Sequence, residues 1–155
     1  MKYFCETGDR TMENDPNNRL ITSWLTLTQI QMNIANELEA ALQEEYHLSL
    51  KEFYLLLFLS EAPDKKLRLQ QLETMVGLSQ SAMSRLVSRF EAKGCGALQR
   101  HICDDDRRGV YTSLTRIGEE KLEKALVTFK AVLEKQLSEV EMQSLLQQFI
   151  HLNSR

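Results

Sequence analysis

Gly77-Leu78-Ser79 divides two short apolar-periodic segments, and no other feature of the chain constrains its folding as much. Leu72 and Val76 mark the first segment, and Gly77 suits the left-handed position just past a helix end. Ser79 is a good N-cap for the second segment, where Ala82, Met83, Leu86, Val87 and Phe90 share one face. The opposite face carries Gln80, Ser81, Ser84, Arg85, Ser88 and Arg89, which is short, polar and basic. Two helices packed through a glycine turn, the second with a hydrophilic outer face, predict a helix-turn-helix.

A hairpin comes directly after it in the chain. Gly94 and Gly96 break the second helix, residues 97–102 read as a strand, 104–109 as a turn and 110–114 as the returning strand. Arg107 and Arg108 sit at the tip, and Thr115 is placed to cap a new helix. A helix-turn-helix joined to a basic hairpin is a winged helix, whose usual partner is duplex DNA.

The flanks predict long helices. Residues 1–14 are polar and patternless, so a mobile tail is expected before an N-cap-like Asp15-Pro16. Leu20, Trp24, Leu27, Ile30, Ile34, Leu38, Ala41 and Leu42 then form one apolar stripe. Ser49 and Glu52 make a capping box, with Leu48 and Phe53 as its staple, for a helix running to about Glu61. Ala62-Pro63-Asp64 ends it, and Leu67–Leu69 suits a minimal strand. After Thr115, Leu122, Ala125, Leu126, Phe129, Val132 and Leu133 line another long helix, and a second capping box at Ser138 and Glu141 opens a last one. Only 7% of residues are aromatic and two are proline, which favours helix over a β-sandwich.

The predicted fold class is therefore mainly α, an α+β winged helix-turn-helix core flanked by long terminal helices. Residues 15–155 form one domain, with dimerisation helices at 15–47 and 115–153, the winged helix-turn-helix at 49–114 and the wing at 97–114. Apolar stripes at both ends would expose too much surface in a monomer, so a homodimer is expected. A two-fold dimer reads a pseudo-palindrome with half-sites about one helical turn apart.

Charge supports this by its distribution. The chain has a net charge of -3, but residues 1–47 hold three basic residues against eight acidic ones, whereas residues 79–103 hold four basic residues and one acidic. No apolar run approaches the roughly 18 residues of a membrane helix, and the first residues lack a signal-peptide pattern, so a cytoplasmic protein is expected. Three cysteines, an odd number, read as reduced thiols rather than a disulfide framework. No phosphate loop, nucleophile elbow or zinc-protease motif is present, so no enzyme, cofactor or metal is expected.

A recognition helix must enter a major groove about 12 Å wide. Ser79, Ser81 and Ser84 are short enough to meet phosphates or base edges at close approach; Gln80 can pair with adenine and Arg85 with guanine. Ser88 shares this face, and Arg89, a turn further on, is expected at a phosphate. In the hairpin, Asp106 is close enough to Arg108 to hold its guanidinium extended, while Arg107 and Arg108 suit a narrow minor groove. Asp104 and Asp105 must point away from the backbone. A solvated helix face is the plainer account of the same serines and arginines, and the hairpin beside them argues against it.

These residues are where the chain resembles the MarR family of bacterial transcription regulators. The family's wing signature, Asp-x-Arg, five residues, then Leu-Thr-x-x-Gly, stands here as Asp106, Arg108, Leu114, Thr115 and Gly118. The resemblance implies a homodimer with interlocked first and last helices, Arg108 in the minor groove and Asp106 bracing it. It implies a repressor relieved by a small-molecule effector, held in a crevice that Trp24, Met32, Phe53, Tyr54 and Phe58 could line, although such residues at helical spacing are more often core. Two departures stand out. Gly96 adds a second glycine at the hinge, which is expected to loosen the wing, and Arg68 replaces a small capping residue, which is expected to let the first helix of the pair fray.

Two alternatives remain. Cys95 and Cys103 bracket a wing strand near Lys93, Arg100 and Arg107, which suits thiol-based redox sensing, against a plainer expectation of a buried Cys95. A zinc site drawn from Cys95, His101 and Cys103 fails because strand alternation puts only His101 and Cys103 on one face, with no evident third or fourth ligand. The other alternative is a winged helix serving as a protein-protein module.

Overall fold

The computed structural model describes residues 16–91, 94–102 and 109–138, with further helical positions at 143, 144, 147, 150 and 151. The tail, the wing tip and most of the last predicted helix lie outside the described residues.

Helix α1 spans Pro16–Tyr46 and starts at the proline, which has no N–H to leave unpaired. Helix α2, Leu50–Glu61, opens with the expected capping box: Ser49 Oγ accepts from the Glu52 N–H at 3.1 Å, and Glu52 Oε2 accepts from the Ser49 N–H at 2.8 Å. A single 3-10 turn at Pro63–Lys65 leads into strand β1, Lys66–Arg68. The strand ends one residue before the sequence suggested, because Leu69 begins helix α3, Leu69–Val76. Gln71 Oε1 accepts from the Arg68 N–H at 3.0 Å, so the first turn of α3 is held without a small capping residue.

Gly77 has φ 72° and ψ 45°, a conformation that favours glycine. Its N–H and that of Leu78 both reach Glu73 O, at 2.9 and 3.0 Å, and so close the last turn of α3. The chain is thereby aimed at Ser79, whose Oγ accepts from Ala82 N at 3.3 Å and caps helix α4, Gln80–Phe90. Strands β2, Leu98–Ile102, and β3, Val110–Leu114, form the wing. Helix α5, Arg116–Gln136, follows its Thr115 cap. The sheet order is β1-β3-β2, all antiparallel, with Arg68 opposite Tyr111 and Ile102 opposite Val110.

One core joins these elements. Leu38 and Leu42 of α1, Phe53, Leu55, Leu56 and Leu59 of α2, Leu72 of α3, Met83 and Val87 of α4, Leu98 of β2 and Leu122 of α5 are all buried. Each such side chain contributes about 1.5–3 kcal/mol by leaving water. The rings of Phe53 and Phe129 stack with centroids 4.4 Å apart, which ties α2 to α5. Leu48 and Phe53, the expected staple, are both fully buried.

The α1 stripe divides in two. Its second half packs into the core, and Tyr46 OH meets Thr128 Oγ1 at 2.9 Å across to α5. Its first half stands in solvent: Leu20, Ile21, Leu25 and Met32 are exposed, and Trp24 is 66% exposed. Among the described residues no helix is long and apolar enough to cross a membrane.

Candidate nucleic-acid interface

Helix α4 buries Met83, Leu86, Val87 and Phe90 and turns the rest of its surface outward. Ser79, Gln80, Ser81, Arg85, Ser88 and Arg89 are exposed and Ser84 is half-buried, so the whole helical set expected from the sequence lies on one face. Among the described residues Arg85 has no hydrogen-bond or ion-pair partner. Its guanidinium is free to make two parallel hydrogen bonds to a base edge.

The last turns of α4 are different. Ser88 Oγ donates to Ser84 O at 2.9 Å and accepts from Arg100 at 2.8 Å; Arg100, on β2, also donates to Ser84 O at 3.0 Å. Glu91 pairs with Arg100 Nε at 3.1 Å. Arg100 therefore fastens the wing to the back half of the recognition helix, a role that sequence reasoning missed. It lies on another element, so helical spacing from Arg85 carried no signal for it.

The guanidinium of Arg89, the residue read as a phosphate contact, pairs with Glu52 Oε1, whose side chain is only 6% exposed, while the Arg89 side chain itself stays 67% exposed. Lys51, the neighbour of Glu52, donates to Val76 O at 2.6 Å. Against this mount lies a cleft of about 450 Å³ lined by Ser49, Lys51, Leu78, Ala82, Arg85, Leu86 and Arg89.

Residues 47–109, from the end of α1 to the root of β3, match the model of the MarR family. This segment is similar to the MarR family and folds as a winged helix. The likeness in fold extends beyond it: the transcriptional regulator BldR from Sulfolobus solfataricus superposes with a TM-score of 0.74 at 25% identity, covering 91% of this chain and 99% of that one. Sco3205, a MarR family transcriptional regulator from Streptomyces coelicolor solved in complex with DNA, gives 0.72 at 22% identity over 89% of this chain and 86% of its own. A mutant MarR from E. coli complexed with operator DNA gives 0.69 at 18%, over 90% and 99%. No curated protein matches the chain.

The MarR signature acquires a physical reason at its second half. Thr115 Oγ1 accepts from Gly118 N at 3.2 Å, capping α5, and donates to Gly96 O at 2.6 Å, while Thr115 N reaches Ala97 O at 3.0 Å. A Cβ on Gly118 would lie 2.3 Å from Ala97 O, so only glycine lets α5 approach the hinge this closely. Leu114 is buried beside them. The added glycine, Gly96, is held by Thr115 on one side and by its own N–H to Glu91 O, at 3.1 Å, on the other. Arg68 closes the far edge of the wing: its Nε donates to Tyr111 OH at 2.8 Å, and Lys66 lies 4.9 Å over the same ring.

The first half of the signature, Asp106 and Arg108, lies outside the described residues together with Asp104, Asp105, Arg107 and Cys103. Cys95 is exposed, not buried as its plainer reading held. His101 Nε2 meets Ser113 Oγ at 2.7 Å, and among the described residues no three metal-ligating side chains come together. The residues read as lining an effector crevice fall into two groups. Phe53 is consumed by the core and Tyr54, whose phenol pKa is pushed up by burial, packs beside Phe58 and Phe129, whereas Trp24 and Met32 stand exposed on α1.

Proposed function

We propose that this chain is a sequence-specific, double-stranded DNA-binding transcriptional regulator, a homodimeric repressor of MarR type relieved by a small-molecule effector. The observation that carries it is the open face of α4, where an unpartnered Arg85 stands among Gln80, Ser81 and Ser84 on a helix fastened from behind. Arg85 takes guanine, Gln80 takes adenine, and Ser79, Ser81 and Ser84 take phosphates or base edges. Arg107 and Arg108, braced by Asp106, enter the minor groove. The relatives solved with DNA support this reading. It is a regulator and not a catalyst.

The exposed apolar half of α1 supports the dimer, since a second copy would cover Leu20, Ile21, Trp24 and Leu25. The cleft beside α4 supports the effector: Lys51 and Arg89 give it positive charge and Leu78, Ala82 and Leu86 an apolar wall, a combination suited to an organic anion. An occupant there would hold Arg85 away from DNA. Titrating a random duplex at two salt concentrations tests the core of the proposal. A DNA binder loses affinity steeply with salt, by about 0.9 in log–log slope per phosphate neutralised, and a protein-protein module shows no such binding.

A further inference from the structure

Three consecutive residues at the start of α2 are bonded to three other elements. Leu50 N donates to Glu39 Oε2 of α1 at 2.5 Å, Lys51 Nζ donates to the last carbonyl of α3, Val76 O, at 2.6 Å, and Glu52 accepts Arg89 of α4, while Ser49 and Glu52 cap the helix reciprocally. We infer that this junction is the mount that sets the angle of the recognition helix, and that Glu52 and Arg89 are positioning residues for DNA reading, not contacts to it. The inference rests on the DNA-binding reading of α4.

Glu52 is the fixed point of the junction. Its carboxylate is almost wholly buried, with one oxygen on the Ser49 N–H and the other on Arg89. A buried charge deprived of its partner costs far more than a surface pair gains. Arg89 keeps most of its side chain in solvent, and drawing its guanidinium off Glu52 onto a DNA phosphate would leave that buried carboxylate alone. Arg89 also stands one helical turn from Arg85, so a bond that fixes it fixes the direction in which Arg85 projects. Glu39 carries the same junction back to α1, beside the buried Leu38 and Leu42, and so links helix angle to the rod that forms the dimer.

The test uses the full chain, a duplex recovered by wild-type selection from a random pool, and the variants Glu52→Gln, Arg89→Gln, Arg89→Lys and the double Glu52→Gln/Arg89→Gln. The double variant leaves no buried charge, and Glu52→Gln keeps an acceptor for Ser49 N, so these two remain folded even where Arg89→Gln alone does not. Each is compared below its own melting temperature. Glu52→Gln is expected to weaken binding to the selected duplex about tenfold, roughly 1.4 kcal/mol. The double variant is expected to be no weaker than Glu52→Gln, and Arg89→Lys to regain most of the loss. The salt slope is expected to stay at the wild-type value while the base preference read by Arg85 flattens. A slope lowered by about 0.9 in the double variant relative to Glu52→Gln would make Arg89 a phosphate contact, and unchanged or tighter binding by Glu52→Gln would deny Glu52 a positioning role; either overturns the inference while leaving the DNA reading intact. Wild-type protein that retains no duplex at low salt would overturn both.

Discussion

The first and last turns of α4 contain the same residue types and meet different fates. Ser79, Gln80, Ser81 and Arg85 face solvent with side-chain bonds only within their own turn, whereas Ser84 O, Ser88, Arg89 and Glu91 are tied to β2 and α2. Both arginines are exposed by area. Exposure alone therefore does not mark a DNA contact; what decides is whether a buried group behind the helix already requires the cation. Arg89 has Glu52 behind it, and Arg85 has no such group among the described residues.

This contrast can be broken outright or refined. Met83→Ala removes packing common to both halves and is expected to lower the unfolding free energy by roughly 2–5 kcal/mol, measured by urea denaturation; a much smaller loss would mean that the side bonds, not the core, hold the helix. Arg85→Ala is expected to cost about 1–3 kcal/mol of discrimination at one base position, read from selection profiles. Its melting temperature should not move. Ser79→Ala strips the cap from the open end and is expected to cost about 1 kcal/mol of stability. Ser88→Ala is the mildest: Arg100 keeps Ser84 O, and a stability change within about 0.5 kcal/mol is expected in the same denaturation experiment. A larger drop would make Ser88 a principal anchor of the wing.

Much of the architecture was legible because it is written locally. Gly77, the Ser49–Glu52 box and the Ser79 and Thr115 caps each signal within a few residues, and each stands where it was expected. The outer face of α4 follows from helical spacing alone. Pairings across distance were not legible. The box reveals one oxygen of Glu52, yet the other goes to a residue 37 positions away. Arg100 and Tyr111 act through strand register, and register is set by the finished sheet. The ring contacts are of the same kind: Phe53 and Tyr54 lie on α2, where Phe129 arrives from the far end of the chain. The remaining expectations on the wing concern Asp106, Arg107 and Arg108, outside the described residues.

Gly118 has a mechanical consequence. Because not even a methyl group fits between the start of α5 and the Ala97 carbonyl, there is no slack at that joint. A tilt of the long rod is therefore passed directly to the hinge of the hairpin, as a crank turns its shaft. On the proposed dimeric, DNA-binding reading, a signal that tilts α5 needs no relay of side chains to reach the wing.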